Sequence, residues 1–240
     1  MKSIIEKANK LAIKEIEKYG APSIWNFRIT NRQGQILAEK YKADKNIVLL
    51  GTLLIDLKLG QALKENTIKQ HIKMSTDTAR KFLEKEKVSK ETLEKVIHCI
   101  EAHHGNIPYQ SREAEIVANA DCYRFLTLRG SLMFLVDLVK KERESFDNAL
   151  NYIEEKADEK WKIVSLPEVK KELKPNYKLI KELVHKAKTS SVEIIKPEET
   201  SKGYRKKLLS LKTEWFGEIE IKEMQQNRRE IEERLSKNKI

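Results

Sequence analysis

Apolar residues recur along this chain at intervals of three and four, the spacing that places them on one face of an α-helix. The first stripe runs from Ile4 to Ile16, with Ser3 and Glu6 in front of it as a capping box, and Gly20 is expected to end that helix. No run of alternating residues predicts a strand. The pattern therefore predicts an all-α protein, with further helices over residues 25–41, 45–59, 67–86, 89–103, 111–128, 131–158 and 165–188.

The helix predicted over 45–59 contains the most apolar segment of the chain, Ile47 to Ile55. A helix that is apolar on every side is a buried helix, so we expect it at the centre of the fold, with Gly60 at its end. No segment reaches the roughly 20 apolar residues that a membrane helix needs. We therefore expect no membrane among the partners of this protein.

The C-terminal part of the sequence has a different character. Residues 190–200 are rich in turn formers and are the best candidate for a linker, whereas residues 202–238 are strongly charged and helix-prone. The apolar residues in the second segment indicate that it packs on something, and a homo-oligomer formed through the C-terminal helices is one such arrangement. We divide the chain into a helical domain over 1–158 and a helical C-terminal extension over 159–240.

Composition narrows the functional classes. The 240 residues include 48 Lys plus Arg and 37 Asp plus Glu, for a net charge of +11, and two cysteines. Two cysteines make no disulfide framework, and the N-terminus lacks a signal-peptide core, so we expect a cytoplasmic protein. The excess of positive charge suits an anionic partner. It is spread along the chain, which favours a phosphorylated small molecule or plain solubility, and nucleic-acid binding through residues 202–239 is not favoured.

Two carboxylates stand at positions that the pattern buries. Asp56 follows nine largely apolar residues, and Asp121 lies among small and apolar residues of its predicted helix. A buried carboxylate costs several kcal/mol unless it is paired, protonated or bound to a metal. For Asp56 the structural alternative is a salt bridge to Lys58 or to a distant arginine. For Asp121 it is an i, i+3 ion pair with Arg124.

Three histidines make these carboxylates more informative. His103 and His104 are adjacent at the end of a predicted helix, and His71 lies on the helix before it. Imidazole is the commonest transition-metal ligand, and imidazole together with carboxylate suits Mn, Fe or Mg better than structural zinc, which prefers thiolates. Without a metal, a His71–Asp56 pair or a His104–Asp121 pair would satisfy the same groups.

The order of these residues resembles the HD-domain superfamily of metal-dependent phosphohydrolases. That family carries a His, a His-Asp pair, often two further histidines and a final Asp on an α-helical core. The resemblance covers about residues 20–128, and none was found for 129–240. It is carried by LLIDLKLG (53–60), His71 and the helix that follows it, VIHCIEAHHG (96–105) and SREAEIVANADCYRFL (111–126).

The resemblance implies an HD-domain helical core with a helical C-terminal extension, and a hydrolase acting on a nucleotide or another phosphate ester. It implies a divalent ion of Mn, Fe, Mg, Co or Ni. The metal ligands would be Asp56, His71, His103, His104 and Asp121, the catalytic residues Asp56, Asp121 and His104, and the substrate-binding residues Arg124, Lys58 and Asn26.

Two positions depart from the family pattern. Ile55 stands where the family has the histidine of the His-Asp pair, and Asn26 is the nearest equivalent of the first histidine. Isoleucine offers no ligand atom and asparagine offers one neutral oxygen, so the usual first metal site loses two ligands. The remaining set resembles the second site of two-metal members. Two hypotheses follow: a phosphohydrolase with a depleted metal site, or a catalytically inactive, metal-free HD fold that binds a ligand or a regulatory partner.

Overall fold

The computed structural model describes residues 1–141 and 144–189 of the chain. Within these ranges every regular element is helical, which confirms the predicted all-α class. The helices are α1 (Lys2–Tyr19), α2 (Ile24–Lys40), α3 (Lys45–Leu54), α4 (Leu59–Lys64), α5 (His71–Lys85), α6 (Lys90–Ala102), α7 (Arg112–Leu126), α8 (Leu128–Lys141), α9 (Phe146–Ile163) and α10 (Pro167–Thr189), with a short 3-10 helix, Ile68–Gln70, before α5.

The described helices belong to one compact unit, Met1–Thr189. The predicted boundary between residues 158 and 159 falls inside α9. The predicted linker at 190–200 and the charged helix at 202–238 lie outside the described residues.

Helix α3 lies at the centre of the first unit, as its apolar run predicts, and packs against α2, α6 and α7. A Cβ on Gly51 would stand 2.9 Å from Val117 Cγ2 and 3.0 Å from Cys99 Cβ, so glycine permits the close approach of these helices. The stretch Lys45–Lys64 has the length and composition of a membrane-crossing segment, but 67% of its most apolar window is buried in the fold, as in a core helix.

The apolar segment is not the single helix that the sequence predicts, because a turn over residues 55–58 separates α3 from α4. Gly60 is therefore inside α4 and not at a helix end. A Cβ there would stand 2.6 Å from Tyr19 Cβ and 2.7 Å from the carbonyl oxygen of Ala21, so glycine lets the α1–α2 connection touch α4. The break places Asp56 in a turn and not on a helix face.

Two further predicted features differ from the structure. Ser3 lies within α1, whose N-cap is Met1 without a side-chain hydrogen bond, so the predicted capping box does not form. The long helix predicted over 131–158 is two helices, since α8 already includes Gly130 and Ser145 caps the start of α9. The Ser145 hydroxyl is the sequence signal for this second start.

Helices α9 and α10 pack on α7, and Asn119 of α7 ties the turn between them in place. The Oδ1 atom of Asn119 accepts hydrogen bonds from the backbone N–H groups of Ser165 (3.1 Å) and Leu166 (3.2 Å). Its Nδ2 donates to the Ser165 hydroxyl (2.9 Å). The Ser165 hydroxyl, predicted to cap α10, donates to Glu115 Oε1 at 2.8 Å. The C-terminal helices are thus fixed two residues from Asp121.

Candidate metal centre

Two buried carboxylates share one guanidinium at the centre of the fold. Asp56 is 6% exposed and Asp121 is fully buried. Arg124, one turn beyond Asp121 on α7, places Nη1 2.5 Å from Asp56 Oδ2 and Nε 2.7 Å from Asp121 Oδ1. Both structural alternatives raised by the sequence are therefore present: Asp56 pairs with a distant arginine, and Asp121 pairs with the residue three positions on.

A second buried cation, Lys160 of α9, completes this charge network. Its Nζ lies 2.7 Å from Asp121 Oδ2 and 3.7 Å from Glu159 Oε1, and the side chain is 1% exposed. Sequence reasoning missed this residue. The available signal was its place in the apolar stripe of α9, three residues after Ala157 and three before Ile163, which are both buried. A lysine at that register needs a buried acidic partner.

The four groups hold one another in their charged forms. Burial is the largest single influence on the pKa of Asp56 and Asp121, and it opposes their ionisation. The positive charges around them, with Arg124 the largest, together outweigh burial, so the pKa of each carboxyl lies below its ordinary value. Burial likewise opposes the charge on Arg124 and Lys160, yet the carboxylates raise the pKa of both. By distance these contacts are ion pairs, although neither carboxylate has a hydrogen bond of good angular geometry among the described residues. Charge therefore dominates the interaction.

Three imidazoles meet beside this network. His71 begins α5, His103 is the C-cap of α6, and His104 follows it. One ligand nitrogen from each ring lies within 4.8 Å of the others. His71 Nε2 is 4.0 Å from Asp56 Oδ1. The structure thus brings together four side chains that the sequence analysis named as metal ligands.

Backbone carbonyls determine which ring nitrogen carries the proton. His71 Nδ1 lies 2.7 Å from the carbonyl oxygen of Ile68, and His103 Nδ1 lies 2.6 Å from that of Ile100. A carbonyl only accepts, so Nδ1 is the donor in both rings and Nε2 keeps its lone pair. Metal-bound histidines are oriented by hydrogen bonds of this kind. The buried Nε2 of His103 has no hydrogen-bond partner among the described residues.

Burial also keeps the rings of His103 and His104 neutral. It lowers the pKa of His103 to about 4. It lowers the pKa of His104 as well, and the positive charge of Lys160 adds to the effect. Neutral imidazole is the form that binds metals. His104 Nδ1 lies 3.6 Å from Glu159 Oε1, so its acidic neighbour is Glu159 and not the Asp121 that the sequence suggested.

The two halves of the centre differ in how well they fit a metal ion. The imidazole cluster of His71, His103 and His104 fits a divalent transition metal, because its three ligand nitrogens lie within 4.8 Å of one another and because the His103 lone pair is buried without a partner among the described residues. The Asp56–Asp121 pair does not fit one, because cations already lie 2.5–2.7 Å from these carboxylates.

The predicted substrate-binding residues are engaged elsewhere or lie inside the fold. The Lys58 ammonium is 2.9 Å from Glu15 Oε2. Arg124 is held between the two carboxylates. Asn26 is 5% exposed, and its Oδ1 has no hydrogen-bond partner in the part of the chain that the structure describes. In this structure the two cations are therefore not free to bind a phosphate.

A cavity of about 430 Å³ opens beside His104, within the range of small-molecule sites. Lys162 has no ion pair among the described residues. Burial raises the pKa of Tyr109 to about 12, so the Tyr109 hydroxyl remains a hydrogen-bond donor at neutral pH. Among the residues that line this cavity, only His104 was named as a site residue from the sequence. The lining is His104, Gly105, Tyr109, Glu159, Lys162, Ile163 and Ser165.

A family model of the HD domain matches residues 30–126. This stretch is similar to an HD domain. It holds Asp56, the imidazole cluster and Asp121, and it confirms the HD core predicted from the sequence. The match covers about two-fifths of the chain, and Lys160 with helices α9 and α10 lies beyond it.

A solved structure extends the likeness beyond this domain. It is the crystal structure of a protein from Lactobacillus plantarum, a Northeast Structural Genomics target, with a TM-score of 0.61 and 15% sequence identity. The match covers 78% of this chain and 96% of that chain. At this identity the likeness shows a shared fold, which includes helices outside residues 30–126.

Proposed function

We propose that this protein is a metal-dependent phosphohydrolase that acts on a small phosphate ester and uses a single divalent ion at His71, His103 and His104. The observation that supports the ion most directly is the buried, unpartnered Nε2 of His103 beside two other imidazoles. The reaction class comes from the HD domain, whose resemblance implies phosphate ester hydrolysis.

The chain supplies orientation and charge to such a reaction. His71, His103 and His104 would hold a divalent ion, which when bound would polarise a phosphoryl oxygen and stabilise the charge that develops on it. His71 and His103 hold their Nε2 atoms toward the centre through the Nδ1 bonds to backbone carbonyls. His104, neutral and at the edge of the cavity, offers the third ligand nitrogen and places the ion next to the proposed substrate site. Asp56 is held by Arg124 with its Oδ1 facing His71.

The cavity beside His104 is the proposed substrate site. Lys162 provides a cation without an ion-pair partner in the described ranges, and the Tyr109 hydroxyl provides a neutral donor. A phosphate at these two groups would lie next to the imidazoles, and the volume of about 430 Å³ accommodates an organic part of nucleotide size. Lys162 thus takes the role that the sequence analysis gave to Lys58 and Arg124.

A phosphatase screen with matched variants tests the proposal. The full chain, stripped with chelator and reloaded separately with Mn, Fe, Co, Ni or Mg, is assayed on a panel of phosphomonoesters, and its bound metal is measured. We expect turnover with at least one transition metal, loss of both metal and turnover in His103→Ala, and no change in His185→Ala, whose ring is exposed on α10. Equal turnover in the stripped protein, or none with any metal, contradicts the proposal.

The alternative is a catalytically inactive HD fold that binds a phosphorylated ligand or a regulatory partner. Two observations favour it: Ile55 offers no ligand atom, and Arg124 and Lys160 already neutralise the carboxylates. In that case phosphate esters raise the melting temperature of the stripped protein without being hydrolysed. Lys162→Ala removes the shift, while Lys178→Ala, a change of a lysine outside the cavity lining, leaves it intact.

A further inference from the structure

Asp121 is the final acid of the HD pattern, and the sequence resemblance makes it a metal ligand. We infer that in this protein Arg124 and Lys160 take the place of a metal ion at Asp56 and Asp121, so that Asp121 is not a ligand and an ion is bound through the imidazoles. The inference concerns the composition of the proposed metal site and rests on that proposal for the imidazole part only.

Both oxygens of Asp121 are already engaged. Oδ1 is 2.7 Å from Arg124 Nε, and Oδ2 is 2.7 Å from Lys160 Nζ. A metal ion that took either oxygen would displace a cation and bring a dipositive charge next to the other one. Lys160 is 1% exposed, so its displaced ammonium would remain inside the protein without its partner. The Asp121 carboxylate therefore pairs with Arg124 and Lys160 and not with a metal ion.

The charge balance leads to the same conclusion. Two carboxylates and two cations make the network neutral, whereas carboxylates without internal cations would need positive charge from outside to be buried. Lys160 comes from α9, outside the stretch that matches the HD domain. The C-terminal helices thus provide the charge that an HD domain with its usual ligands takes from a metal.

Asp56 differs from Asp121 in one respect. Only its Oδ2 contacts Arg124, and its Oδ1 faces His71 Nε2 at 4.0 Å. The ligand set that remains is the three imidazole nitrogens, and Asp56 Oδ1 lies beside it. This set favours Fe, Co, Ni or Zn over Mg, which selects oxygen ligands and retains its waters. Mg therefore leaves the group of ions that the sequence predicted.

Cobalt binding to the full chain distinguishes residues that ligate the ion from residues that do not, without any activity measurement. The chelator-stripped protein is titrated with Co²⁺, and the dissociation constant and the visible absorption spectrum are recorded. We expect Asp121→Asn to keep the wild-type spectrum and a dissociation constant within about threefold, and His71→Ala to weaken binding by about tenfold or more. A tenfold loss or an altered spectrum in Asp121→Asn overturns the inference.

A paired variant covers the case in which Asp121→Asn does not fold because Lys160 loses its partner. Asp121→Asn combined with Lys160→Met removes both charges at similar side-chain size, and we expect it to fold and to bind Co²⁺ with the wild-type spectrum. Weakened binding in a folded double variant contradicts the inference as well.

If the wild-type protein binds no Co²⁺, the proposed function fails and the inference is still tested by unfolding in EDTA. The single variants Asp121→Asn and Lys160→Met, the double variant and the wild type form a thermodynamic cycle for this pair. We expect the pair to change the unfolding equilibrium constant by a coupling factor of about ten or more. A factor near one shows that Lys160 does not neutralise Asp121 and overturns the inference.

Discussion

Two ion networks on the same helix show how burial changes the role of a charge. Lys160 of α9 lies 2.7 Å from Asp121 and is 1% exposed. Lys181 of α10 lies 2.8 Å from both Glu154 and Asp158 of α9 and is 32% exposed. The distances are nearly equal, but only the first pair is removed from water. A buried charge that loses its partner is strongly destabilising, whereas an exposed pair contributes little.

The largest effect is expected from Lys160→Met, which leaves Asp121 buried without its ammonium. We expect the free energy of unfolding in EDTA at neutral pH to fall by about 3–5 kcal/mol. Urea or guanidinium denaturation measures it. Lys156→Met, which removes a half-buried ammonium 2.6 Å from Glu159, is the control and should cost less than about 1 kcal/mol. Equal costs for the two variants would remove the distinction between the networks.

A second effect of burial is a loss of stability in mild acid. Because the pKa of His103 is lowered to about 4 in the folded state, the unfolded chain binds a proton first as the pH falls below about 6.5. Stability is complete above that pH and declines toward pH 4, by about 1.4 kcal/mol for each unit of pKa shift. Denaturation in EDTA across this range measures the decline, and His103→Gln should reduce it. An unchanged slope in the variant contradicts this assignment.

The exposed network should respond to salt and hardly to mutation. Lys181→Met removes the cation shared by Glu154 and Asp158, and we expect a cost of no more than about 1 kcal/mol, because exposed pairs gain little over hydration. The cost should shrink further in 1 M salt, where the screening length falls to about 3 Å. A loss of unfolding free energy comparable with that of Lys160→Met would show that the exposed network contributes as much to stability as the buried one.

The smallest effect is expected from Glu154. Hydrogen bonds from Lys181 and Lys188 lower the pKa of its carboxyl to about 2. A lowered carboxyl pKa adds stability above pH 4.5 that is lost as the pH falls toward 2. Because Glu154 is near the surface, we expect only a few tenths of a kcal/mol. Comparing Glu154→Gln with wild type at pH 7 and pH 3 measures it, and a difference that does not shrink at pH 3 contradicts the prediction.

The features that the sequence predicts are those that follow from local periodicity. The all-α class and the buried α3 come directly from the spacing of apolar residues, and the HD core is confirmed over residues 30–126. The turn at Asp56 was missed because its flanks are apolar on both sides and no proline or glycine marks the break.

Lys160 was missed for a different physical reason. Its place in the apolar stripe of α9 indicates burial, but its partner Asp121 lies on another helix, and the spacing of residues within one helix does not identify a partner on another. The cavity was missed in the same way, since Tyr109 and Lys162 line it from separate parts of the chain.

The hydrogen bonds of Asn119 reach beyond the stretch that matches the HD domain. A polypeptide cut at residue 126, where the HD match ends, would lack the Lys160 ammonium that pairs with Asp121. It would also lack the backbone N–H groups of Ser165 and Leu166 that donate hydrogen bonds to Asn119. Its interior would keep an acid with one partner fewer and an amide with none of its long-range bonds. The stretch that matches the HD domain therefore ends before the residues that pair with its own buried Asp121 and Asn119, and those residues extend to the turn before α10.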